Sequence, residues 1–105
     1  MAATCTHLDQ IRITQIPASV PGCEDCLKIG SPWVHLRLCL SCGHVGCCDS
    51  SPNRHASKHA YATSHPIVRS LEPGEDWCWC YIDDVGMLIP AVRGRTRIPP
   101  SPLLG

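Results

Sequence analysis

Phenylalanine is absent from this 105-residue sequence, and tryptophan and tyrosine together make up only 5% of it. A chain of this length with so few large side chains has a thin apolar core, so it is read as one domain that needs staples. Charge of one sign is lacking too, since nine Lys and Arg stand against nine Asp and Glu. No basic excess is available to neutralise a phosphate backbone, and nucleic acid is not the expected partner. No hydrophobic run approaches the ~18 residues that mark a membrane span. Met1-Ala2-Ala3-Thr4 has neither the basic start nor the apolar run of a signal peptide, which favours a reducing cytoplasm.

What the chain does have is nine cysteines and six histidines. In a reducing compartment, an odd cysteine count with Cys-x-x-Cys pairs and neighbouring histidines reads as metal binding. Cys39-Leu40-Ser41-Cys42 and, after the Pro21-Gly22 turn, Cys23-Glu24-Asp25-Cys26 each offer two thiolates across a tight turn. Zinc takes four such ligands in a tetrahedron, so each pair supplies half a site. A thioredoxin-like redox pair would need a helix start in a βαβ setting, which this sequence lacks.

Ser51 as N-cap and Pro52 at the first helical position predict a helix over residues 52–63. His55 and His59 stand on one face of it at i and i+4, with His65 just past its end, and by themselves they suggest one shared ion. Cys5-Thr6-His7 carries two further potential ligands that must borrow partners from far along the chain. Of the adjacent Cys47 and Cys48, only one easily aims at a given ion. His35 and His44 sit off the ligand spacing and are read as non-ligands.

The rest of the pattern is short strands. Residues 11–16 alternate apolar and polar, and residues 33–41 do so strictly, with Val34, Leu36, Leu38 and Leu40 opposite Trp33, His35, Arg37 and Cys39. Trp33 with Arg37 either covers the zinc sites or walls a binding groove. Residues 65–71, 76–82 and 85–89 read as further strands. In the second of these Trp77, Trp79 and Tyr81 share one face and Cys78, Cys80 and Ile82 the other. That aromatic face is either a recognition surface or a cover for a core short of Phe. Residues 90–105, rich in Pro, Gly and Arg and without periodicity, read as a disordered tail, which leaves 1–89 as the folded domain.

This ordered set of motifs resembles the UBP-type zinc finger, a module of some deubiquitinases, a histone deacetylase and a ubiquitin ligase, and most of all its short stand-alone bacterial members. The resemblance runs through Cys-x-His, two Cys-x-x-Cys pairs, Trp33, Cys47, His55, His59, His65-Pro66 and a late Trp79-Cys80-Tyr81. It implies an α+β fold, a small zinc-stapled domain with a twisted antiparallel sheet packed on one main helix. It also implies interleaved ligands: one zinc on Cys23, Cys26, Cys47 and His55, and a second on Cys39, Cys42, His59 and His65. A third zinc would use Cys5 and His7 with Cys80 and Asp83. Three-zinc relatives have Trp-Cys-x-x-Cys where this chain has Trp79-Cys80-Tyr81-Ile82-Asp83, and strand geometry keeps Cys78 as the rival fourth ligand.

In eukaryotic members a cleft near the zinc sites holds a free C-terminal Gly-Gly tail, and Trp33, Trp79 and Tyr81 match its aromatic residues in type. The arginine those members carry after the third cysteine is missing here, where Cys48-Asp49 stands, and the span from Cys26 to Cys39 is longer. The expected function is therefore a monomeric, non-enzymatic zinc-binding module that takes a protein or peptide C-terminus, without tight binding of ubiquitin. Two other classes remain: a thiol or zinc redox switch on the spare Cys48 or Cys78, and a nucleic-acid-binding finger relying on Arg93, Arg95 and Arg97.

Overall fold

The computed structural model describes residues 6–99, so Cys5 and its expected ligand role lie outside the described residues. The fold is α+β. Five short strands, β1 Leu36–Cys39, β2 Val45–Cys47, β3 Ile67–Ser70, β4 Cys78–Cys80 and β5 Val85–Met87, form one antiparallel sheet in the order β2-β1-β3-β4-β5. Leu38 pairs with Val45 on one side and Arg69 on the other, and Val68 pairs with Trp79, which in turn faces Gly86.

Alternation along β1 sorts its side chains as a two-residue period demands. Leu36 and Leu38, continued by Leu40, enter a core with Ile16, Val20, Val45, Ile67, Leu71 and Met87. Cys23, Cys26, Cys47, Cys78 and Cys80 pack into the same core. On the other face helix α2, His55–Thr63, lays Ala56 and Ala60 against Val68 and Tyr81. Small residues are needed on both sides of that contact. A Cβ on Gly46 of β2 would stand 2.7 Å from the backbone nitrogen of Ala56, so only glycine lets the helix start come this close.

Helix α2 begins three residues later than its sequence signals suggest. Ser51 is spent elsewhere, its hydroxyl accepting the Val34 N–H at 2.8 Å, and the N-cap position falls to Arg54 in a left-handed conformation with φ 49°. A second helix that the sequence reading did not assign, α1 Glu24–Ile29, starts at Cys23, whose sulfur accepts the Cys26 N–H at 3.4 Å, and ends at Gly30 with φ 68°. The Cys23-x-x-Cys26 pair thus does sit at a helix start. The sheet is antiparallel, and among the described residues the βαβ setting of a redox pair is missing.

Three expectations are corrected. Residues 11–16 form no strand; Ile11 and Ile13 still pack on the core, but pairing is reduced to single parallel bridges, Gln15 with Arg93 and Ser19 with Arg97. Those bridges also overturn the disordered tail for residues 90–99. Ile16 N–H donates to Arg93 O and Arg93 N–H to Thr14 O, both at 2.8 Å, and Val92 is buried. Trp33, expected in the peptide cleft, is instead a core side chain, 7% exposed. Strand β1 begins only at Leu36, so alternation does not govern Trp33, and its ring lies where a Cβ on Gly22 would be 2.5 Å away. Among the described residues no helix is long and apolar enough to cross a membrane.

Candidate metal centres and an aromatic groove

Three clusters bring metal-ligand atoms within 4.8 Å of one another: Cys23, Cys26, Cys47 and His55; Cys39, Cys42, His59 and His65; and His7, Cys80 and Asp83. The interleaving follows from α2. Its first residue, His55, hangs over β2 and the start of α1, while His59, one turn on, hangs over the Cys39–Cys42 turn at the end of β1. The two histidines therefore serve different clusters although they share a helix face.

In the first cluster His55 Nδ1 lies 3.3 Å from both Cys23 Sγ and Cys26 Sγ and 3.6 Å from Cys47 Sγ, and Cys26 Sγ is 3.8 Å from Cys47 Sγ. Tetrahedral zinc with its usual bond lengths sets S···S edges of about 3.8 Å and S···N edges of about 3.5 Å, so the cluster has the dimensions of an occupied site. N–H groups are aimed at its sulfurs, from His55 to Cys47 at 3.2 Å and from Cys26 to Cys23 at 3.4 Å, with the Asn53 amide 3.8 Å from Cys26. Such donors stabilise thiolate charge. The Cys47 thiol is lowered to about 5, first by the hydrogen bond from Cys23 and also by the His55 N–H. The same bond pushes Cys23 up.

In the second cluster Cys39 Sγ and Cys42 Sγ are 3.6 Å apart and His59 Nε2 is 3.3 Å from Cys42 Sγ. His65 Nδ1 is buried without a hydrogen-bond partner among the described residues, the mark of a nitrogen placed for a ligand bond. Burial first, then the neighbouring His44 and His65, hold His59 below its ordinary pKa, which favours the neutral imidazole a metal needs. Donor chemistry and spacing in both clusters fit zinc.

The third cluster has three members among the described residues. His7 Nδ1 lies 3.1 Å from Asp83 Oδ2 and 3.6 Å from Cys80 Sγ, and Asp83 also accepts the Thr6 N–H at 2.8 Å. Asp83, not Cys78, joins this group. Cys78 points into the core, and burial pushes its thiol up to about 11, which makes it a poor candidate for a redox switch. Cys48 belongs to no cluster; its sulfur lies 3.6 Å from Ser51 Oγ.

A groove of about 240 Å³, with no cluster residue in its lining, is formed by His35, Arg37, Cys48, Asp49, Ser50, Trp77, Trp79 and Tyr81. Trp79 and Tyr81 are where the sequence places them. Trp77, on the same face, takes the position expected of Trp33, and Arg37 lies 4.6 Å above its ring. The shared alternation of residues 77, 79 and 81 was the available signal. Asp49, whose Oδ1 accepts the Ser57 hydroxyl at 2.7 Å, forms part of the other wall. A larger cavity of about 440 Å³ at the β3–β4 turn, among Arg69, Glu72 and Arg95, contains none of these aromatic or clustered residues.

Comparison with known proteins accords with these features. A family model described as a Zn-finger in ubiquitin-hydrolases and other proteins matches residues 23–89. Ubiquitin carboxyl-terminal hydrolase 44 of Ailuropoda melanoleuca is 36% identical over 98 residues, covering 90% of this chain but 13% of that protein. Ubiquitin carboxyl-terminal hydrolase 16 of Rattus norvegicus is 36% identical over 78 residues, 62% of this chain and 9% of that one. The chain thus spans only a small part of the curated relatives it matches. Protein RPA1320 of Rhodopseudomonas palustris, known from a solution NMR structure, superposes with a TM-score of 0.77 at 49% identity, covering 97% of both chains.

Proposed function

The chain belongs to the UBP-type zinc-finger family, and on that premise we propose that it is a non-enzymatic module in which three zinc ions support a groove that receives the free C-terminal end of a peptide or protein. The observation that carries this reading is the groove. Trp77, Trp79 and Tyr81 give it an aromatic wall, Arg37 stands beside them, and none of the four is in a metal cluster. Aromatic faces accept an extended main chain, and a guanidinium receives a carboxylate with two parallel hydrogen bonds. Burial, above all, raises the pKa of Tyr81 and keeps its phenol a hydrogen-bond donor.

A catalytic zinc keeps one position open for water or substrate. The two central clusters each supply four protein ligands, which supports a structural role for their ions. Asp49 lines the same groove, and Arg37 is already 4.0 Å from Glu75, so an incoming carboxylate meets a nearly balanced field. Tight binding of the ubiquitin C-terminus is accordingly not part of the proposal. The module acts as a monomer in a reducing compartment, where its thiols remain available to metal.

Calorimetric titration of the zinc-loaded chain with peptides ending in a free carboxylate, each paired with its C-terminal amide, tests the reading. Binding that is lost on amidation and in Trp79→Ala is expected. Binding indifferent to amidation, or none by any free-ended peptide, would overturn it.

A further inference from the structure

His44 is in none of the three clusters, yet it touches His59 of one central cluster and Asp25, which stands between two cysteines of the other. Its ring stacks on His59, with centroids 4.1 Å apart and planes 11° from parallel, and its Nε2 donates to Asp25 Oδ2 at 2.7 Å. His59 is a member of the Cys39, Cys42, His59, His65 cluster. Asp25 lies between Cys23 and Cys26, two members of the other cluster. Beside this contact a second one runs in parallel: Glu24 Oε2 accepts the Val45 N–H at 2.6 Å. Two successive residues of α1 thus grip two successive residues of the chain leading from Cys42 into β2. A near-parallel stack fixes the plane of an imidazole, and a hydrogen bond to the stacking ring stops that ring from turning.

We propose that Asp25 and His44 form a mechanical link between the two central sites, with His44 as a positioning residue that holds the His59 ring in its metal-binding orientation. The link rests on reading both clusters as metal sites. Filling the Cys23, Cys26, Cys47, His55 site fixes the first turn of α1 and with it Asp25. Asp25 holds His44, and His44 holds His59. The second site therefore binds more tightly when the first is full, and by reciprocity the first when the second is full.

The two sites differ in donor set, three sulfurs and one nitrogen against two and two, so ¹¹³Cd-loaded full-length protein gives each its own NMR resonance. Loss of each signal to a competing chelator then measures each site separately. Two such resonances in the unaltered chain are the precondition, and if either is missing it is the metal reading that fails. Given both, His44→Ala speeds loss from the two-sulfur site by about tenfold or more, as expected when the partner that orients a metal-bound histidine is removed. Asp25→Ala also acts on the two-sulfur site, although Asp25 stands in the chain between two cysteines of the other one. Asp25→Asn keeps an acceptor for His44 and restores most of the effect. The double variant is no worse than the more severe single one, because the two residues act as one unit. An Asp25→Ala or His44→Ala effect confined to the three-sulfur site, or no change in either variant, would overturn the proposal.

Discussion

The two central clusters and the one at the edge use similar ligands, but the chain gathers them over different distances. Cys23, Cys26, Cys39 and Cys47 are fully buried and come from α1, β1 and β2, elements that are already neighbours in the sheet and on its face. His7 and Asp83, by contrast, are 76 positions apart, and Asp83 is exposed. On the proposed reading, ions at the centre would stand in for the apolar mass that a Phe-free core lacks, and an ion at the edge would only close a long loop, a contribution that grows slowly with loop length.

Removing all metal should have the largest effect. Structural zinc sites carry about 10–16 kcal/mol of apparent binding free energy, which matches or exceeds the whole net stability of a domain, about 5–15 kcal/mol. Treatment with a strong chelator should therefore abolish the cooperative thermal transition seen by circular dichroism. A native-like melt after complete zinc removal would dissolve the distinction between centre and edge, since neither would be holding the fold. Single central ligands come next. Cys39→Ser and His59→Ala should each lose one ion by metal analysis and unfold well below the parent's midpoint, because each leaves an incomplete ligand set where α2 meets the end of β1.

Deleting residues 1–7 should release one ion, lower the midpoint modestly, and leave the two central ¹¹³Cd signals in place. Collapse of the whole fold on this deletion would show that the edge is not secondary. Cys48→Ser should do least. It should retain every ion and change stability by under about 1 kcal/mol, since it alters one side chain beside the groove and no cluster. An ion lost in Cys48→Ser and kept in Cys47→Ser would reverse the roles of that adjacent pair.

How much of this was legible in the sequence depended on whether a short-range rule applied. Spacing within Cys23-x-x-Cys26, Cys39-x-x-Cys42 and His55-x-x-x-His59 is dictated by turns and by helical pitch, so it marked these residues as ligands; it also put His55 and His59 on one ion, and the separate groups that the fold gathers were implied only by the family resemblance. Alternation located the Leu36 and Leu38 core face and the aromatic face of residues 77, 79 and 81. The same rule failed one step beyond its range at Trp33, three residues before β1 begins. Ser51 and Pro52 look like a helix start in isolation, and the competing bond from Ser51 to Val34 was invisible without the fold. Parallel bridges between residues 15–19 and 93–97 join distant segments, the second of which carries no periodic signal, so the last stretch of chain read as a tail. His44 and Asp25 were missed for the same reason, 19 positions apart and with no motif to relate them.

The most direct test of the account is native mass spectrometry of the full-length chain under progressive chelation, with the charge-state distribution reporting compactness. The account predicts three zinc ions per compact chain. The first should be lost without unfolding and be the one already absent when residues 1–7 are deleted, and loss of either remaining ion should bring an abrupt shift to the extended charge states. A compact, metal-free chain, or gradual expansion that begins with the first ion lost, would contradict it.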